Sequence, residues 1–259
     1  MQIVPPWHKI ETDSLGQGVF APVSIAIWLR LELSAMRMRQ LIRALVLDRH
    51  SHDAAYAAVV VAGNYEEAGD HGRFRVEAGG VLLHDRFEAH IDRFSRAGAV
   101  VLNLPLPAGH SFKPGAARLV DADLIVSAAE RSRAEATGLL LATIQEVTPS
   151  SIDWADELAT ALMQDSSLLL STWAQERGLA PWTVSRGFAQ LFGISPEAFR
   201  ARSRARHAWK AIQTTRKPLA EIASHLGFSD QAHMTRSVRQ MTGLPPGAWR
   251  AAANGFKTV

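Results

Sequence analysis

The chain of 259 residues contains no cysteine. That absence removes disulfides, thiolate metal sites, thiol nucleophiles and thiol redox sensing together, and it fits a reducing compartment. Long apolar runs are also missing. The longest near the start, Val19 to Leu29, has eleven residues and is closed by Arg30 and Glu32. Eleven residues cannot span a bilayer. No basic segment sits directly before the run and no small-residue cleavage site follows it. Neither a signal peptide nor a membrane span is expected, and a cytoplasmic location is. Apolar residues as a class are not scarce. At 47% they are too abundant for a disordered chain, and the length admits two modest domains.

The net charge of +3 conceals an asymmetry. Residues 165–259 carry 13 Lys/Arg and 5 Asp/Glu, a net of +8, whereas residues 1–164 carry 15 and 20, a net of −5. A basic half joined to an acidic half suggests that one end meets a polyanion. Residues 1–40 show no clean period, and Met36 or Met38 is a candidate native start. From Leu41 to Leu106, short β-branched or apolar runs ("LIRALVL", "AYAAVVVA", "FRVEAGGVLLH", "GAVVLNLPLP") are punctuated by Gly and Asn. They predict a small antiparallel sandwich or barrel over 41–118. From Leu119 to Val147 the period turns helical, with Gly138 as a weak point. This segment, 119–150, is expected to bridge the halves or to dimerise, with Leu139–Leu141 as a dimer seam or, at least equally, a buried intramolecular face. Pro149 and its serines mark a boundary near residue 150, with Ser151 as the expected cap of the next helix.

The basic half contains an internal repeat. Residues 168–200 lie over 218–250 at an offset of fifty, with seven of 33 positions identical: Leu169/Leu219, Arg186/Arg236, Gln190/Gln240, Gly193/Gly243, Pro196/Pro246, Ala198/Ala248 and Arg200/Arg250. Each copy reads as a short amphipathic helix, a turn at Gly178 or Gly227, and a second helix. That is the pattern of a helix-turn-helix. In the second helix, Val184, Phe188 and Leu191 share one face, matched by Met234, Val238 and Met241. Trp182, Ser185, Arg186 and Gln231, Ala232, Thr235, Arg236 fall opposite. A solvated helix face has no need of two such copies in register, whereas a helix that reads base edges needs hydrogen-bonding side chains on its outer face. Residues 196–217 between the copies fit one long helix. About 17 residues span roughly 25 Å, against about 34 Å between successive major-groove faces. Arg202, Arg204, Arg206 and Lys210 on this helix are the expected phosphate contacts.

The stretch "IASHLGFSDQAHMTRSVRQMTGLPPGAWR" (222–250) resembles the signature of the AraC/XylS family of transcription regulators, and the resemblance covers 152–250. It implies a seven-helix DNA-binding domain over 151–252, with helix-turn-helix units at about 168–192 and 218–242. By position, the family's base contacts fall on Trp182, Ser185, Arg186, Gln231, Ala232 and Arg236. Departures are Met234 and Val238 where phenylalanine is usual, Ala180 in place of a Ser cap, and Gly187 inside the first reader helix. The family's methyl-acceptor branch needs a nucleophilic cysteine and is closed to this chain. Such regulators often carry an N-terminal cupin-like barrel, and "RHSHDAAYAAVVVAGNYEEAG" (49–69) with "VEAGGVLLHDRFEAH" (76–90) resembles the two cupin motifs. The resemblance puts an effector or metal pocket at His50, His52, Glu66 (or Glu67) and His90. Histidines with a carboxylate suit Zn, Ni, Fe or Mn.

The expected fold is therefore α+β: an N-terminal cupin-like antiparallel β-barrel followed by an all-α domain with two helix-turn-helix units. The expected partners are double-stranded DNA, a small-molecule effector, RNA polymerase for an activator, and a second copy as homodimer. No cofactor is required by this reading, and a divalent metal is the one candidate. Two rival classes remain: a metal-dependent cupin enzyme fused to a DNA reader, and an architectural DNA binder indifferent to effectors.

Overall fold

A computed structural model describes residues 40–42, 45–107, 112–147, 152–165 and 167–255. The candidate starts at Met36 and Met38, the boundary at Pro149 and the cap at Ser151 lie outside the described residues. Two long strands organise the first half, β3 (Tyr56–Gly69) and β6 (Ala89–Pro105). They pair antiparallel from Tyr56↔Pro105 to Gly69↔His90. The first part of β3 pairs β5 (Gly80–His84), which continues to β7 (Gly115–Arg118) and β8 (Gln145–Glu146). Its second part pairs β4 (Gly72–Glu77). β1 (Gln40–Ile42) and β2 (Val46–Ser51) pair opposite ends of β6. The register slips between Val60 and Ala62 and between Gly63 and Tyr65. Gly63, at φ +74°, lies so close to Gly98 that a Cβ there would overlap its carbonyl oxygen. Irregularities of this kind bend strands.

The bend lets the sheet fold over one of its faces. Ala58, Val60 and Leu82 from one part share a buried cluster with Tyr65, Val76 and Phe94 from the other. On the opposite face, Ala57, Val59, Val81, Leu83, Leu102 and Leu104 pack against two helices, α1 (Ala122–Arg131) and α2 (Arg133–Thr143). This alternation is the period of two that a pleated strand imposes. The break between α1 and α2 falls at Ser132 rather than at Gly138: the Ser132 hydroxyl accepts from the Glu135 N–H at 3.3 Å and caps α2. Leu140 is fully buried and Leu139 and Leu141 pack on the same cluster, so this apolar run covers the sheet.

Seven helices follow: α3 (Trp154–Gln164), α4 (Leu170–Glu176), α5 (Pro181–Phe192), α6 (Pro196–Thr214), α7 (Leu219–His225), α8 (Gln231–Thr242) and α9 (Pro246–Gly255). Asp153, with Asp156 closing a capping box, starts α3. Pro196 occupies the first turn of α6, where its missing N–H costs no hydrogen bond. At 19 residues, α6 is about 28 Å long. Among the described residues no helix is long and apolar enough to cross a membrane.

Sheet and helices share their cores. Ala68 and Ile91 of the sheet belong to the cluster of Trp173, Val184, Phe188, Phe192 and Phe199. Phe87, in the turn between β5 and β6, belongs to that of Trp209, Ile222, Met234, Val238 and Trp249. Gly193 ends α5 in the left-handed region (φ +69°), and a Cβ there would come within 2.9 Å of Ile91 Cδ1. Glycine serves both the cap and the close approach.

Candidate DNA-binding surface and sensor site

The two copies of the repeat become α4–α5 and α7–α8. α5 and α8 keep the offset of fifty at both ends, while α4 and α7 are offset by 49 at theirs. The one-residue slip is absorbed at Gly178 and Gly227, which take φ of +65° and +73°. Val184 and Phe188 of α5, and Met234 and Val238 of α8, are buried. Phe188 stacks on Phe192 at 4.4 Å and meets Phe199 edge-on at 5.3 Å. With the inner face fixed, the outer face turns to solvent. Trp182 is 69% exposed; Arg186, Gln231, Ala232 and Arg236 are exposed and Ser185 is half-buried. Asp230 caps α8, its Oδ1 accepting from the His233 N–H at 2.6 Å. α5 begins at Pro181 with no side-chain cap. Gly187 has a packing reason: a Cβ there would come within 3.1 Å of the Trp154 ring.

The arginines of α6 are the main correction to the sequence reading. Arg202, Arg206 and Lys210, spaced i, i+4, i+8, form one helix face, and that face lies on the acidic rim of the sheet. Arg206 is buried; its Nη2 donates to Asp85 Oδ2 at 3.1 Å and lies 3.8 Å from Glu88. His71 Nε2 lies 3.3 Å from its Nη1. Lys210 Nζ lies 2.6 Å from the same Asp85 carboxylate. Arg206 is therefore withdrawn from phosphate by its own acidic partners, and Lys210 is ion-paired. Arg202 is half-buried against the sheet. Arg204, on another face, donates to the Gly227 carbonyl at 2.9 Å and stacks over Phe228. Other links tie the sheet to α3 and α5. Arg73 donates twice to Asp156, at 3.0 and 2.9 Å. Arg93 donates to the Gln190 carbonyl at 2.7 Å, and Arg49 to the Phe192 carbonyl at 3.0 Å.

The folded sheet holds a polar cluster at one end of its interior. His50, His52 and His90 bring one ring nitrogen each within 4.8 Å of one another, and a Glu67 carboxylate oxygen meets ring nitrogens of His84 and His90 within the same distance. Of the two expected carboxylates, Glu66 is exposed and Glu67 is buried. The slips in β3 put Glu67, the register partner of Asp92, on the inner face. His84 is a member the sequence did not single out. It lies two residues from inward-facing Leu82 on β5, and strand alternation was the available signal. Tyr56 stacks on His84 at 4.5 Å, and its hydroxyl lies 3.3 Å from His90 Nε2.

Burial sets the protonation of this cluster. It lowers His52 to about 4, helped by His50, and lowers His84 to about 3. His50 and His90 are lowered by the same cause. Burial raises Glu67, reinforced by Asp92, and lifts Asp92 to about 7 against the hydrogen bond from Glu67. Neutral imidazoles are the form that ligates a metal. Both ring nitrogens of His84 and Nδ1 of His90 are buried without a hydrogen-bond partner. This donor set fits a borderline divalent cation held by His50, His52 and His90, or by Glu67, His84 and His90.

Comparison with known proteins agrees with the helical half. Residues 173–252 match a helix-turn-helix domain family. The chain is 34% identical over 89 residues to the arabinose operon regulatory protein of Escherichia coli, covering 34% of this chain and 30% of that one. It is 32% identical over 77 residues to the virulence regulon transcriptional activator VirF of Yersinia enterocolitica, covering 30% and 28%. The match thus spans about a third of these relatives' own length. A solved transcriptional regulator with an AraC-type DNA-binding domain, from Chromobacterium violaceum, aligns at 23% identity, with a TM-score of 0.36, over 38% of this chain and 88% of that one. Residues 173–252 of this chain are therefore a helix-turn-helix domain.

Proposed function

We propose that the chain is a sequence-specific, DNA-binding transcription regulator of the AraC type, cytoplasmic and not an enzyme, whose DNA binding is modulated by a small-molecule effector at the sheet domain. The observation that carries this reading is the pair of equivalent helices, α5 and α8, each buried on one face and presenting polar side chains on the other. Trp182, Ser185 and Arg186 read one major-groove segment, and Gln231, Ala232 and Arg236 the next. Arg204 is the α6 arginine left for phosphate. RNA polymerase is the further partner if the regulator activates, and a second copy if it dimerises. The route from effector to DNA is the shared core. Arg49, next to His50, holds the end of α5, and the turn carrying Phe87 lies between β5 and β6, which bear His84 and His90. An effector that binds more tightly to one arrangement of these contacts shifts the population.

The test uses fluorescence anisotropy on a duplex recovered by selection, with all single-base variants. Arg236→Ala is expected to cost about 1–3 kcal/mol on the preferred site and to relax specificity at one position. A uniform loss across all variants would make Arg236 a phosphate anchor instead. The histidine cluster favours a second reading, a resident divalent metal. Held there, the metal would supply a Lewis acid or a structural tie. Metal content of the purified full chain tests it: stoichiometric metal lost in the His52→Ala/His90→Ala double variant supports the cluster, and negligible metal in the wild type removes it.

A further inference from the structure

A cavity of about 390 Å³ lies where the sheet meets the helices. The sheet contributes Arg49, His50 and Ala89, and the helices contribute the Gly193–Ile194 turn and Arg202. The lining contains two guanidiniums and no carboxylate. The two arginines differ. Arg49 is satisfied: its Nη2 donates to Asp70 at 2.5 Å, and its Nη1 donates to the carbonyls of Ala68 and Phe192 at 3.2 and 3.0 Å. Arg202 is not. Among the described residues it makes no hydrogen bond and no contact ion pair, and its Nε is buried without a partner. Asp70 acts on it through space, but that carboxylate is already bonded to Arg49 and to the Ala89 N–H.

A half-buried guanidinium without a partner is unfavourable, and an anion that completes its hydrogen bonds is correspondingly favoured. The planar fork matches a planar carboxylate through two parallel N–H···O bonds. One uncompensated charge balances a monoanion better than a phosphate dianion. Ala89 and Ile194 give part of the lining an apolar surface suited to an organic body, beside the polar His50 and Ser51, and the volume lies within the range of small-molecule sites. We propose that this cavity binds a small organic carboxylate, with its carboxylate group paired to the Arg202 guanidinium. Such a ligand touches both the sheet and the α5–α6 turn, beside the Arg49 bond to the end of α5, so its binding depends on how the two are placed. The role of the ligand as effector rests on the regulator reading above; its binding does not.

Benzoate is the probe, with benzamide as its neutral isostere and inorganic phosphate as the competing anion. The full chain is titrated while the arginine Nε–H resonances and the thermal midpoint are followed. Benzoate is expected to shift both saturably and benzamide neither. Arg202→Gln is expected to weaken benzoate by about ten- to a hundredfold, and Arg202→Lys by less. Ser51→Leu, which fills the cavity from its sheet wall and leaves Arg202 in place, is expected to block it as well. Unchanged thermal midpoints of the ligand-free variants show that they are folded. Absence of a saturable benzoate shift in the wild type, wild-type affinity in Arg202→Gln, or tighter binding of phosphate than of benzoate would each overturn the proposal. DNA affinity is measured in parallel: benzoate binding without specific DNA binding sinks the regulator reading alone, and the reverse sinks the carboxylate site alone.

Discussion

Phe87 offers the sharpest test of the contact between sheet and helices. Its ring is 5% exposed and meets Trp209 and Trp249 edge-on at 5.0 and 5.7 Å. The Arg86 guanidinium lies 5.4, 5.6 and 5.1 Å from the centroids of the three rings. The backbone there has φ 57°, the one non-glycine residue with positive φ among those described. A bulky side chain in that region is strained by about 1–2 kcal/mol. Two terms decide the cost of truncation. Removing a buried phenylalanine to alanine costs about 3–5 kcal/mol. Alanine keeps the left-handed strain, but glycine does not. Glycine's extra freedom in the unfolded chain returns about 0.5–1 kcal/mol of that gain. Phe87→Ala is therefore expected to destabilise the full chain by about 3 kcal/mol or more, and Phe87→Gly by no more than Phe87→Ala. Urea unfolding followed by tryptophan fluorescence reads both, since Trp209 and Trp249 flank the site. A loss below about 1 kcal/mol for Phe87→Ala would refute the buried-plug account. A Gly variant clearly weaker than the Ala variant would refute the strain argument.

Arg206→Met tests the corrected role of α6. It removes Arg206 from Glu88 and from Asp85, which keeps Lys210, and is expected to cost about 1.5–3 kcal/mol in stability, the range for a lost hydrogen bond to a charged group rather than for a bare buried charge. The salt dependence of DNA binding should not change; a flatter salt slope would return Arg206 to the phosphates. His71, 3.3 Å from Arg206, gives a pH signature. Burial, aided by Arg206 and Lys210 and opposed by Asp70 and Asp85, lowers it to about 4, and Glu88 lies 3.8 Å away. Its folded value is below its unfolded value, so its contribution is full above pH 6.5 and is lost as pH falls towards 4. About 2 kcal/mol goes by pH 5. His71→Gln should therefore lose less stability than the wild type between pH 7 and pH 5; an equal loss in urea titrations would contradict that value.

The helical half was legible because its pattern is local. A helix-turn-helix writes its core and outer faces into one short stretch, and the repeat at fifty residues doubled the signal. Even the one-residue slip at Gly178 and Gly227 was visible. The sheet half was legible as class but not in detail. Alternation along β3 predicts which carboxylate faces inward only if the strand is regular, and the irregularities near Val60 and Gly63 break the count, so the sequence leaves Glu66 or Glu67 open where the fold turns Glu67 inward. The stripe Arg202, Arg206, Lys210 was visible as a basic helix face, but its partners Asp70, Asp85 and Glu88 are far away in sequence. Nothing local separates a stripe facing phosphates from one facing acids of the same chain. Phe87 carried no signal at all: an aromatic in a polar turn reads as exposed until the second helix-turn-helix unit packs around it.

The central claim is that α5 and α8 read two adjacent segments of duplex DNA. Selection of the full chain on random duplex at physiological salt, followed by sequencing, tests it most directly. The account predicts an enriched motif with two elements about one helical turn apart, one of which is altered by Arg186→Ala and the other by Arg236→Ala. Salt-sensitive retention without any enriched motif would contradict it.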